Sequence, residues 1–232
     1  MNRTDQHDRL MAVFCIGLLL TPTLLLTSCR ITATQDPPAQ ISETAPATTP
    51  DGQTPTTTQD SVKFKQEGGS ERFTLKYKPD GAKLEDASGA ELARLNIDAD
   101  RKVKIKDAGD KVLGYVVPTD RAWKLENAEQ SEELYILRQQ EDGDYKLETG
   151  KDQSVYRIKR RDYGYEIESP DKKSLYKVKE KEGKISLRNA DDKTILYSKD
   201  KTSLIAMACF GFEVLSQEQQ AAFAYAVSQS TP

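Results

Sequence analysis

The sequence holds one histidine, one tryptophan, three cysteines and three methionines, and aromatic residues make up only 7% of it. The lone histidine is His7, within the first 28 residues. The rest of the chain therefore lacks the usual general base and the commonest metal ligand, which excludes Ser-His-Asp, Cys-His and zinc sites in their ordinary forms. Cys15 and Cys29 also lie near the start, so Cys209 is the single cysteine of the remainder and no disulfide forms within it. No excess of one charge sign exists: 34 Lys and Arg stand against 37 Asp and Glu in 232 residues, a net charge of -3, so nothing in the balance draws the chain to nucleic acid. No glycine-rich phosphate loop precedes a helix, since Gly68-Gly69 sits in a polar stretch. These absences argue against an enzyme and call for no cofactor or metal.

What the N-terminus does have is an address. Arg3 and Arg9 precede an apolar run from Leu10 to Leu26, interrupted by Thr21, Pro22 and Thr23. That run is at the short end for a spanning helix, which needs roughly 20 apolar residues, and no Ala-x-Ala-like cleavage site follows it. Leu26-Thr27-Ser28-Cys29 resembles the bacterial lipobox. The resemblance implies a lipoprotein signal peptide over 1–28, cleavage before Cys29, and diacylglyceryl modification of the Cys29 thiol. It places the protein in the cell envelope, lipid-anchored on the outer side of the cytoplasmic membrane or at the outer membrane. Arg30, where an Asp retains some lipoproteins at the inner membrane, favours the latter. Residues 29–61 follow as a Thr- and Pro-rich tether with almost nothing apolar beyond Ile31 and Ile41, too little to offset ordering entropy.

From residue 62 a period of about 20 emerges. Leu84, Ile105, Leu125, Leu147, Ile167 and Leu187 are spaced 21, 20, 22, 20 and 20 apart, and each has an apolar or aromatic residue two positions earlier, from Ala82 to Ile185. Alternation of period two marks half-buried strands. Turns rich in Asp, Asn and Gly follow each one, then a second strand such as Leu134–Leu137 or Val155–Ile158. Six hairpin repeats give about twelve antiparallel strands, with Phe73 to Lys78 as one more candidate. Their outward positions are crowded with Lys, Arg and Glu rather than the apolar band of an outer-membrane barrel. Exposed edges are avoided by closure, and the apolar stretch 203–215 offers a central helix to fill the closed barrel. Ser216 with Gln219 forms the signature of a capping box opening a second helix over 217–228.

Six hairpins followed by an enclosed C-terminal helix resemble the tubby-like C-terminal barrel superfamily, which includes phospholipid scramblases. The likeness spans residues 62–230 and rests on organisation rather than on a motif. It implies a closed barrel of about twelve strands around an apolar helix, a binding module associated with membrane lipids in some relatives, and no shared catalytic residues.

The strongest local charge asymmetry is basic. Arg157 and Lys159 share one face of a strand, and Lys177 and Lys179 share the corresponding face of the next repeat, a candidate surface for an anionic partner. Glu166, Glu168, Glu180 and Glu182 interleave with them and counter the charge. Asp98/Asp100, Asp142/Asp144 and Asp191/Asp192 fall where turns are expected and have no EF-hand spacing. Six tyrosines (Tyr115, Tyr135, Tyr145, Tyr156, Tyr165, Tyr176) recur at strand positions and read as core filling. The expected function is a non-enzymatic binding or scaffolding module, anchored to the membrane through Cys29, for an envelope protein or anionic lipid. An envelope enzyme of unknown reaction and a purely structural β-repeat stack are the alternatives.

Overall fold

The structure is a computed structural model and describes residues 60–229; the expected signal peptide over 1–28, Cys29 and the expected tether up to residue 59 lie outside these. Fourteen strands follow one another: β1 (Ser61–Lys65), β2 (Glu71–Lys78), β3 (Gly81–Asp86), β4 (Glu91–Ile97), β5 (Val103–Asp107), β6 (Val112–Thr119) and β7 (Ala122–Glu126) make the first half. The second half is β8 (Glu133–Gln139), β9 (Tyr145–Thr149), β10 (Ser154–Arg161), β11 (Gly164–Glu168), β12 (Ser174–Lys181), β13 (Lys184–Asn189) and β14 (Thr194–Ser198). Each pairs antiparallel with its sequence neighbours, and β1 meets β14 to close the barrel. Closure rules out an open solenoid.

The count corrects the expected twelve strands and six hairpins to fourteen and seven. The additional unit is the first. Phe64 lies 20 residues before Leu84, and Val62 and Phe64 point inward at 0% and 1% exposure. Without β1 the free edges of β2 and β14 would face water. The expected inward rows are found where the period put them: Leu84, Ile105, Leu125, Leu147, Ile167 and Leu187 are each at most 1% exposed.

Odd strands run away from the end where the chain enters and even strands return, so the odd-to-even loops gather at the far end. Those loops share one construction. Asp86 Oδ1 accepts from the Ser88 and Ala90 amides at 2.8 and 2.9 Å, and Asp107 Oδ1 accepts from Gly109 and Lys111 at 2.9 Å each. The fourth loop residue is left-handed, with φ 85° at Gly89, 68° at Asp110 and 61° at Asp192. This is a turn followed by a left-handed bulge, which in every loop but β1–β2, where Gln66 stands first, an Asp, Asn, Thr or Ser at the first position stabilises by capping the loop's own amides.

The interior is filled by the last part of the chain, though not as one rod over 203–215. Helix α1 spans only Leu204–Cys209, capped by Ser203 Oγ, which accepts from the Ala206 amide at 3.2 Å. The chain then runs non-helically through Phe212, and Gly211 lies tight against inward side chains of β11 and β13: a Cβ there would sit 2.8 Å from Ile167 Cδ1 and 3.4 Å from Leu187 Cδ1. Helix α2, Gln217–Gln229, is the longer filler, and Ala221 through Val227 are buried on every face over two turns. Its capping box is present: the Ser216 amide donates to Gln219 Oε1 at 3.0 Å and the Gln219 amide donates to Ser216 Oγ at 3.3 Å. Helix α1 packs on β11–β13 and α2 on β3–β7. Phe210 meets Phe64 and Phe73 of β1 and β2 at 4.7 and 5.0 Å, while Phe212 stacks on Tyr156 of β10 at 5.7 Å. Strands on opposing walls thus touch one continuous core, each large side chain contributing about 1.5–3 kcal/mol of burial.

The seam between first and last strands is thin. β1 and β14 share one register pair, Lys65 opposite Tyr197, and the Lys63 amide donates instead to Asp200 Oδ2 at 2.7 Å.

Candidate functional site

With inward positions committed to the core, the chemistry of the strands is on their outward positions. Antiparallel register decides which outward side chains meet. Across β2 to β5, Lys76 opposes Lys83, Lys83 opposes Arg94, and Arg94 opposes Lys106. Like charges directly opposite are unfavourable, and this row is relieved by carboxylates toward the far end: Lys76 pairs with Glu85 and Lys83 with Glu91 at 2.6 Å each, and Arg94 reaches Asp110 at 2.9 Å. Hydrogen bonds from Lys83 and then Arg94 hold the Glu91 carboxyl below its usual range.

A second row is less compensated. Arg138 of β8 opposes Lys146 of β9, and Lys146 opposes Arg157 of β10. Arg138 is bonded to Glu148 at 2.9 Å and Asp152 at 3.2 Å. Neither Lys146 nor Arg157 has a carboxylate within 4.0 Å among the described residues. On its other side Arg157 opposes Glu168, whose carboxylate is taken by Arg161 at 3.0 Å.

The four basic residues singled out in the sequence are therefore divided. Acidic β11 lies between β10 and β12, with Glu166 opposite both Lys159 and Lys177. Lys159 is tied to Asp144, and Lys179 binds Asp192 at 2.6 Å while lying over the Tyr163 ring at 5.3 Å. Lys177 opposes Arg188 and, like Arg157, has no ion pair within 4.0 Å among the described residues. Arg157 is grouped instead with Arg138 and Lys146, which sequence reading left out. The signal was available: folding the chain about Asp142-Gly143 brings Arg138 opposite Lys146.

A concavity accompanies a third basic group near the entry end. Asn96, Ile97, Asp98, Lys102, Lys104, Tyr115 and Gln130 line a notch of about 240 Å³. Tyr115, unlike Tyr145 and Tyr156, turns outward, and the Lys102 and Lys104 ammoniums each stand 5.6 Å from its ring centroid. Lys102 Nζ donates to Gln130 Oε1 at 3.0 Å. The Asp98 carboxylate is used by its own loop, accepting from the Asp100 and Lys102 amides at 3.0 and 2.9 Å. Two ammoniums without a carboxylate partner among the described residues make this notch suited to an anionic group.

The remaining reactive groups are occupied in structural roles. Cys209 is fully buried, which pushes its thiol far up, and its Sγ–H donates to the Ile205 carbonyl at 3.3 Å. Burial likewise pushes the Tyr145 hydroxyl up to about 12. Among the described residues no group of three or more His, Cys, Asp or Glu is placed to hold a metal ion, and no helix is long and apolar enough to cross a membrane.

No protein-family model matches the chain, and no curated protein matches it. A solved structure of a protein from Arabidopsis thaliana aligns with 67% of this chain and 89% of its own, at 10% identity and a TM-score of 0.37. That likeness is too slight to carry an argument about function.

Proposed function

We propose that this chain is a cell-envelope lipoprotein whose barrel, tethered through Cys29, is a non-enzymatic binding module for an anionic partner, either an envelope protein or an anionic lipid. The lipobox-like Leu26–Cys29 and the Thr/Pro-rich stretch after it support the anchor and tether. The closed barrel and the enclosed C-terminal helices support kinship with the tubby-like barrels, from whose twelve strands the fourteen here depart. Because the lumen holds the chain's own last segment, partner contact falls to the outer wall.

The observation that carries the reading is the Arg138–Lys146–Arg157 row. Directly opposed cations cost the isolated barrel roughly 0.2–1 kcal/mol per pair. An anion laid across β8–β10 reverses that sign, and at physiological salt such attraction reaches only about 8 Å, so contact must be close. Notch residues Lys102 and Lys104, at the start of β5, offer a second anionic subsite, with β6 and β7 between it and this row.

Two experiments test it. Mass spectrometry of the mature N-terminus should find lipidated Cys29, and Cys29→Ala should leave the chain out of the membrane fraction. Binding to anionic vesicles and to envelope extracts, with neutral vesicles as control, should fall with salt and be lost in the Lys146→Glu/Arg157→Glu double variant. Salt-insensitive binding that the double variant retains would overturn the assignment to this row.

A further inference from the structure

Away from the β8–β10 row and the Lys102/Lys104 notch, the far end of the barrel has a cleft of about 230 Å³ between β2, β13, β14 and the start of α2. Its walls are Phe73, Leu187, Leu196 and Phe210, each less than a tenth exposed. Its mouth is polar. Arg72 is exposed and has no carboxylate within 4.0 Å among the described residues. Gln220 spends its amide hydrogens on the Phe212 and Leu215 carbonyls, at 3.0 and 3.3 Å, which leaves its side-chain oxygen as an acceptor.

We infer that this cleft is a binding site for a small amphiphile with a carboxylate head and an apolar body the size of one aromatic ring or a short acyl chain, the head held by Arg72. Size comes first. A buried cavity of about 150 Å³ lined by Leu, Ile and Phe takes up benzene, so 230 Å³ admits a ring with a short substituent. Solvation comes second. The inner walls, Phe73, Leu187, Leu196 and Phe210, offer entering water no hydrogen bond, whereas Arg72, Gln217 and Gln220 at the mouth do, so an apolar group favourably displaces only the inner water. Charge comes third. A guanidinium with no anion of its own, next to an apolar slot, selects a carboxylate and holds it through two parallel N–H donors. The site uses none of the cations of the β8–β10 row and stands or falls independently of the proposed wall contact.

Phenylacetate is the probe, measured by saturation-transfer NMR and titration calorimetry on the full chain in mild detergent, with 2-phenylethanol as the neutral comparison. The site predicts that phenylacetate binds at least tenfold tighter than phenylethanol. Arg72→Ala removes that preference, and Gln217→Trp, which places a ring at the mouth without touching the core, abolishes binding. Both positions lie outside the core, so unchanged melting temperatures certify the fold. Lys146→Glu/Arg157→Glu leaves phenylacetate affinity unchanged. No binding by the wild-type chain, equal affinity for acid and alcohol, or undiminished binding by Gln217→Trp each overturns the inference.

Discussion

Two residues of one short stretch separate the enclosed segment from the surface. Phe212 is 0% exposed and stacked on Tyr156 with the rings 17° from parallel, whereas Val214, two positions on, is 43% exposed. Phe212→Ala removes a ring from inside the barrel at a point where Gly211 and the strands on either side cannot collapse inward. A buried Phe→Ala change costs about 3–5 kcal/mol including the cavity it leaves. For a domain of 170 described residues, each kcal/mol moves Tm by roughly 2–4 °C, so a drop of about 6–20 °C is expected. With a urea m-value of about 2 kcal/mol/M the midpoint falls by about 2 M. Val214→Ala should stay within about 0.5 kcal/mol of wild type, as surface substitutions do. Thermal and urea unfolding of the full chain, followed by circular dichroism, read both. Similar small shifts for the two variants would refute the placement of this segment in the lumen.

Acid stability should depend on Asp144. Burial pushes its carboxyl up, but the Lys159 ammonium and the Arg160 amide at 2.7 Å more than reverse this and hold it below the usual range. A carboxyl lowered in the folded state adds stability above its unfolded value of about 3.9 that is lost as pH falls through the folded value, so Asp144→Asn should flatten the fall of Tm below about pH 4. Identical Tm profiles for the two proteins would contradict this. Cys209, buried and with its thiol pushed up, should resist alkylation in native buffer and react as soon as denaturant opens the barrel, as mass spectrometry of iodoacetamide-treated samples can follow. At the seam, Asp200→Ala removes the acceptor of the Lys63 amide, whose hydrogen exchange should quicken at least tenfold while that of β7 and β8 amides is unchanged.

The odd strands were legible because each carries its inward pair at a strict interval, and strand period leaves no other face for Leu125 or Leu147 once their neighbours are charged. β1 is hidden for a local reason: Val62-Lys63-Phe64 is short and follows directly on a Thr/Pro-rich stretch, which masks its alternation. The division of labour between the helices was hidden more deeply. Residues 203–215 are the more hydrophobic stretch, yet packing stops α1 at Cys209, and the alanines of α2 are what let a longer helix lie against five strands. Small side chains signal close approach only when the opposing surface is known. The basic rows depend on which strands pair and in what register, so Arg157 could be found from sequence, but its grouping with Lys146 and Arg138 required the ladder.

The order of synthesis gives the enclosed helices a further consequence. Seven hairpins can form one by one as the chain emerges, since each needs only local pairing. Their oily faces have no cover until the final thirty or so residues arrive, and the ring cannot lock before β14 is made. During that interval the nascent sheet is a sticky ribbon with two free edges. Truncated translation products ending before Leu204 should therefore be the ones that clump or are cleared, and holdase chaperones should bind them in preference to the finished barrel.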